Sequence, residues 1–278
     1  MWFIFALIAG IFFAINSLII RYYSKNNNDA MMTSFFFSFF SSIILLPFFI
    51  FEFKVTNSLI FWGGILLMGV ILVISNMMSF KAAQLVDAST QNTVGKLRLL
   101  WMIIAGVIIF NEIITARIII GMILILIAAL LIIDYKKWNF SKKGILLIVL
   151  ATITSTFYAI LLKKVVDMSG VLTVTFLVCL FPAIINALVI PNFLNKIKKK
   201  IINLKLLIAI ALVGVIANLA LIKALSYEVL SGVYFIMDAS LIVVLFGEHL
   251  VLKEKERIGW KIVAVLFAIL GAILIHIT

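Results

Sequence analysis

Apolar runs long enough to cross a bilayer as a helix, about 20 residues each, recur along this chain at residues 2–20, 31–51, 59–80, 84–110, 114–133, 144–162, 170–190, 203–222, 228–247 and 258–276. Ten such runs leave almost nothing for a water-soluble domain. The connections that remain, such as PNFLNKIKKKIIN at 191–203 and DYKKWNFSKK at 134–143, are short and basic and read as turns at a membrane surface. Composition agrees: hydrophobic types make up 65% of the 278 residues and charged types 12%, and the mean hydropathy of +1.31 lies far above that of a soluble domain. The chain is expected to be an all-α integral membrane protein with ten transmembrane helices. No basic segment precedes the first run, which therefore reads as a retained helix and not a cleaved signal peptide.

Ten helices in so short a chain invite a search for an internal repeat. NMMSFKAAQ, residues 76–84, returns as NLALIKALS, residues 218–226, pairing Asn76 with Asn218, Lys81 with Lys223 and Ala82 with Ala224 at an offset of 142. Arg21 and Lys163, near the ends of the first helices of their halves, share that offset. Further on the register slips: Phe110 and Glu112 match Phe246 and Glu248 at 136, and Gly121 matches Gly259 at 138. The halves, residues 1–135 and 136–278, each hold five helices. Five is odd, so the second half enters the membrane inverted relative to the first. An inverted 5+5 repeat is a transporter architecture, with its binding site near the midplane where the halves meet.

Charges inside the apolar runs are the next constraint. Lys96 and Arg98 fall at the middle of the fourth run, and Asp238 at the middle of the ninth. A charge at the bilayer centre costs roughly 2.5–3.5 kcal/mol on insertion scales, so such residues face a bundle interior, a partner or water. One reading is a structural pair, Asp238 with Arg98 or Lys96. It neutralises only one cation, and two residues apart on a helix means about 200° of rotation, which points Lys96 and Arg98 in nearly opposite directions. The other cation then calls for an anion, which a substrate carboxylate or phosphate supplies. Arg98 offers a planar fork for bidentate binding; Lys96, if held neutral by burial, is instead a titratable coupling site.

Asn16, Asn92, Tyr158 and Tyr234 are candidate hydrogen-bonding groups of the same cavity, alongside Ser17, Asn76 and Asn218, although each also fits a helix-to-helix bond. The symmetric recurrence of Asn76 and Asn218 favours a structural role for that pair. Ser34, Ser38, Ser41 and Ser42 form one polar stripe on the second helix, which close helix packing explains. The phenylalanines around it read as packing or lipid-facing bulk. Glu112 and Glu248 close the fourth and ninth helices beside basic loops. Their simplest role is an ion pair at the helix end; as proton-coupling sites they rank below Asp238, which is placed deeper.

The aromatic-rich first helix ending in a cation, the Lys-Ala-Ala and Lys-Ala-Leu steps after the third helix of each half, and the Glu followed about ten residues later by Gly together resemble the EamA-like branch of the drug/metabolite transporter superfamily. The resemblance covers the whole chain. Asn111 departs from a common Gly before the first Glu, and no Pro occurs early in the fourth or ninth helix. The resemblance implies a ten-helix secondary carrier whose central cavity is surrounded by helices of both halves.

The net charge of +12 is a membrane signature, since the basic residues lie at helix ends; no nucleic acid is expected as partner. Setting aside Lys96 and Arg98, most cations lie in the odd-numbered connections, which places those in the cytoplasm and both termini outside. The resemblance implies cytoplasmic termini. One Cys permits no internal disulfide, and Cys179 reads as an apolar filler; His249 and His276 alone make no zinc or haem site, so neither metal nor cofactor is expected. Enzyme motifs such as HExxH and GxSxG are missing from the sequence, and Asp87 and Asp238 differ in predicted height, so no acid pair is formed. The expectation is a multi-pass carrier of the cell membrane, working as a monomer with a dimer still open, that moves a small anionic or zwitterionic metabolite by alternating access. A flippase for a lipid-linked anionic headgroup is the alternative.

Overall fold

The computed structural model describes residues 2–26, 29–51, 56–98, 100–101, 104–105, 116–132, 138–200, 204–227, 233, 237, 243–244, 247 and 258–276. Its helices are α1 (Trp2–Asn26), α2 (Ala30–Phe51), α3 (Leu59–Leu85), α4 (Ala88–Gly95), α5 (Ala116–Ile132), α6 (Trp138–Val166), α7 (Val171–Val189), α8 (Phe193–Lys200), α9 (Leu204–Leu225) and α10 (Ile258–His276). Val233, Met237, Val243, Val244 and Gly247 are also helical, and no strand occurs among the described residues. Among the described residues six helices, α1, α2, α3, α6, α7 and α9, are long and apolar enough to cross a membrane. Their outward positions, among them Phe48, Ile60, Leu66, Leu146 and Leu188, are exposed, whereas Asn16, Ser34, Ser38, Thr175 and Asn186 are buried. Apolar surface outside and polar groups inside is the arrangement a lipid solvent favours.

Several helices run past the limits that hydropathy suggests. α1 continues to Asn26, α3 through Lys81 to Leu85, and α6 to Val166. Once a helix is nucleated, each further residue adds a hydrogen bond without a new nucleation cost, and nothing in these segments breaks the pattern at the last apolar position. The fourth run, in contrast, starts later than residue 84. Val86 leaves the helix in extended conformation (φ −130°, ψ 161°), and Asp87 caps α4 by accepting a hydrogen bond from the Thr90 backbone N–H at 2.9 Å. Asp29 caps α2 in the same way, accepting from the Met32 N–H at 3.1 Å.

The basic connection after α7 is also more ordered than a turn. Asn192 adopts φ 54°, a left-handed conformation that Asn tolerates, and the chain then winds into α8. Phe193 meets Phe35 edge-on with centroids 4.7 Å apart, Ile197 packs on the cluster of Met32, Phe36 and Leu207, and Lys196 pairs with Asp29 at 3.5 Å. One apolar and one basic side, four residues apart, account for a helix lying against the bundle.

The bundle is organised in pairs. α1 packs chiefly on α9, α3 on α6, α2 on α7 and α5 on α10. A shift of 142 residues carries α1 to α6, α2 to α7 and α3 to α9, so exchanging the halves converts the α1·α9 contact into the α6·α3 contact. In the α1·α9, α3·α6 and α2·α7 pairs the helices are antiparallel. Near the start of α3, a Cβ on Gly64 would lie 2.9 Å from the Val165 side chain at the end of α6, and a Cβ on Gly144, near the start of α6, would lie 2.7 Å from the Val86 side chain just past α3; glycine is what makes room for these valines. Thr56, before α3, donates to the Met168 carbonyl, after α6, at 2.7 Å. Phe5 of α1 stacks on Tyr227, just past α9. The serine stripe of α2 serves the α2·α7 contact, where the buried amide of Asn186 donates to the Ser34 hydroxyl at 3.1 Å.

Candidate functional site

Between the α1·α9 and α3·α6 pairs lies a cavity of about 360 Å³. Each wall is a helical stripe of small and polar residues. α1 supplies Gly10, Phe13, Ala14 and Ser17 together with Asn16; α3 supplies Ser75, Asn76 and Ser79; α6 supplies Ala151, Thr152, Ser155 and Tyr158; and α9 supplies Asn218. These positions repeat at three- and four-residue intervals, as one face of a helix requires. α4 closes the cavity with Gln91, Asn92, Gly95 and Lys96, followed by Arg98.

The polarity of α4 explains both its shortness and its place. Its sequence, ASTQNTVG, contains no lipid-compatible face. It starts at the Asp87 cap and is interrupted at Lys96, whose N–H reaches back to the Thr93 carbonyl at 3.1 Å, a three-residue closure that tightens the last turn. The helical hydrogen-bonding pattern resumes at Leu97 and Arg98. Lys96 and Arg98, expected to point in nearly opposite directions, both line the one cavity. The Lys96 backbone stays in the right-handed helical region (φ −64°, ψ −18°), so the turn is tightened there and not broken.

Neighbouring helices fix the α4 side chains. The Asn92 amide donates to the Ser17 hydroxyl at 2.6 Å and to the Ala88 carbonyl at 2.8 Å, tying α4 to α1. Gln91 donates to the Ser79 carbonyl of α3 at 3.1 Å. Beyond Arg98, the Trp101 indole donates to the Thr152 hydroxyl of α6 at 3.0 Å, and Thr152 in turn donates to its own helix at Val149 O, 2.6 Å away. Asn16 is buried, and its Oδ1 has no hydrogen-bond donor among the described residues. A buried acceptor beside a cavity is a place for a water or a ligand donor.

Five residues expected at the site, Asn16, Asn92, Lys96, Arg98 and Tyr158, come together on this cavity. Tyr234, Asp238 and Glu112 lie outside the described residues, although Met237 lines the cavity. Asn76 and Asn218 were assigned a structural role by their symmetry, and here both border the cavity; Asn218 also donates to the Gly214 carbonyl of its own helix at 2.9 Å. Cys179, expected as filler, is buried and touches the cavity. Sequence reasoning missed Ser75, Ser79, Gln91, Thr152 and Ser155. Their signal was available in the stripe Ile148, Ala151, Thr152, Ser155 and Tyr158, a small and polar face on an otherwise apolar helix.

The family model described as the EamA-like transporter family matches residues 1–134 and again residues 142–277. The chain belongs to the EamA-like transporter family. It is accordingly a multi-pass membrane transporter of the drug/metabolite transporter superfamily, a family of transporters and not of enzymes, with the two-repeat all-helical fold expected from the sequence. A solved crystal structure superposes on this EamA-like transporter with a TM-score of 0.67 over 97% of this chain and 95% of its own, at 12% identity. At that identity the likeness concerns the fold. No curated protein matches the sequence.

Proposed function

We propose that this EamA-like protein is a secondary transporter of the cell membrane that carries a small anionic or zwitterionic metabolite by alternating access, its halves being residues 1–135 and 136–278. One observation carries the reading of the cargo: Lys96 and Arg98 line the same polar cavity. Two cations on one wall of a cavity create a positive potential that a carboxylate or phosphate relieves. The cavity volume is at the lower end of the range for small-molecule sites, which suits an amino acid, a carboxylate or a small phosphorylated compound. Arg98 and Lys96 hold the anionic group, and Asn16, Asn92, Tyr158 and Tyr234 bond the rest of the cargo. Asp238 and Glu112 are assigned to charge pairing or proton coupling. The chain works as a monomer.

A thermal-shift screen of the purified protein tests this, using matched anionic, zwitterionic and cationic metabolites with the wild type, Lys96→Gln and Arg98→Gln. Stabilisation by an anion or zwitterion that disappears in at least one variant supports the clamp. Stabilisation by cations alone, unchanged in both variants, rejects it. Stabilisation by lipid-linked anionic headgroups and not by free metabolites favours the flippase.

A further inference from the structure

Two of the cations that recur at the 142-residue offset, Arg21 and Lys163, have no part in the cavity wall, yet each makes an equivalent hydrogen bond. Arg21 Nη1 donates to the Ala83 carbonyl at 2.5 Å, and Lys163 Nζ donates to the Leu225 carbonyl at 2.6 Å. Donor and acceptor both shift by 142. Ala83 lies in the last turn of α3 and Leu225 ends α9, where carbonyls lack an intrahelical partner and the helix dipole favours a cation. Each bond therefore joins an orphan carbonyl to a fixed charge on a different helix.

Which helices are joined gives the bonds their meaning. The extensive contacts hold α1 to α9 and α3 to α6. Arg21 reaches from α1 to α3, and Lys163 reaches from α6 to α9, so both bonds cross between the two helix pairs. They do so at opposite ends. Val165, beside Lys163, is next to Gly64 at the start of α3, and Gly64 is about 28 Å along the helix from Ala83, close to the thickness of a bilayer core. The cavity lies between these ends: its wall stops at Ile20 on α1, Phe80 on α3, Tyr158 on α6 and Leu221 on α9, each within about one and a half helical turns of a bonded residue.

We propose that Arg21 and Lys163 are a symmetric pair of latches, one at each membrane face, that close the two ends of the cavity between the α1·α9 and α3·α6 pairs. Opening to one face breaks one latch and leaves the other as the closed end. The proposal rests on alternating access and on no particular cargo.

The experiment therefore uses no substrate. In a Cys179→Ser background, Ser155→Cys places a single thiol on the cavity wall, and a membrane-impermeant thiol reagent is applied from either face of oriented proteoliposomes. Arg21→Gln is expected to raise labelling about tenfold from the Arg21 face alone, the scale of one charge-assisted hydrogen bond, and Lys163→Gln to do the same from the other face. Lys163→Arg retains a donor and keeps the parent rate. Arg21→Lys retains the charge but loses the fork, giving a smaller rise on the Arg21 face, which keeps the latch testable if Arg21→Gln does not fold. The latches are overturned if the folded Arg21 and Lys163 variants both raise labelling from one common face, if either raises it from the face opposite its mutated cation, or if neither raises it. Alternation is separated from the latches by the double variant Arg21→Gln/Lys163→Gln: release of a trapped small dye rejects alternating access even where the single variants behave as latches.

Discussion

α2 and α4 both place several polar side chains in a protein whose solvent is apolar, and they use them for different purposes. On α2, Ser34 receives a hydrogen bond from Asn186 and Ser42 donates to the Phe39 carbonyl of its own helix at 2.8 Å, so those hydroxyls are engaged within the bundle. On α4, Gln91 and Asn92 are tethered to α3 and α1, and together with Lys96 and Arg98 they face a cavity. Hydroxyls that back-bond to their own helix cost little in a membrane and let helices approach. Fixed charges are too polar for that role and need a wet or ligand-filled space. Side-chain polarity alone therefore does not mark a site; the strength of the polar group and the space in front of it do.

Charge reversal should break this contrast most strongly. Arg98→Glu is expected to abolish stabilisation by an anionic ligand and to lower its uptake into proteoliposomes by roughly a hundredfold, in line with the loss of one member of a desolvated charge pair; full uptake would mean that Arg98 is structural. A smaller effect is expected from Asp87→Ala, which removes the α4 cap at a cost of about 1 kcal/mol. Because α4 carries Gln91, Asn92 and Lys96, the same change should weaken ligand affinity in a titration. A lowered melting temperature with unaltered affinity would show that α4 keeps its position without the cap. Smallest of all, Ser34→Ala should cost about 0.6 kcal/mol, the average of a side-chain hydrogen bond in a membrane protein, and leave the ligand-induced thermal shift as it is. α2 touches the cavity only at Phe37 and Ser38 among its described residues, so a Ser34→Ala variant with reduced ligand binding would extend the functional surface beyond them and dissolve the distinction.

Much of the fold was legible because it depends on local averages. Hydropathy over about 20 residues reports the solvent of each segment, and α2 and α7 fall within a residue of the runs 31–51 and 170–190. The charged ends of α1, α3 and α6 were less legible, since a long basic side chain can keep its head in a polar layer while the backbone stays helical. The corner at Val86 was missed although Asp87 followed by Ala-Ser-Thr is a cap signal; the apolar residues on either side concealed it. α8 was missed because its eight residues are too few for a membrane-length window.

Of the candidate site, the sequence supplied Lys96, Arg98, Asn16, Asn92 and Tyr158 through one rule, that strong polarity at depth must face something polar. The serines and threonines of α3 and α6 escaped that rule, because a hydroxyl can be satisfied by its own helix, as Ser155 is by the Thr152 carbonyl at 2.9 Å.

By itself the sequence determined the solvent, the helical class, the repeat and the family, all of which follow from segment hydropathy and from residues recurring at a fixed spacing. Only the tertiary structure decided that Lys96 and Arg98 share a cavity, that Asn76 and Asn218 border it, and that Arg21 and Lys163 bond equivalent carbonyls at its two ends. Each of those outcomes depends on what a helix from elsewhere in the chain places opposite a side chain. That is not encoded in the spacing of residues along one segment.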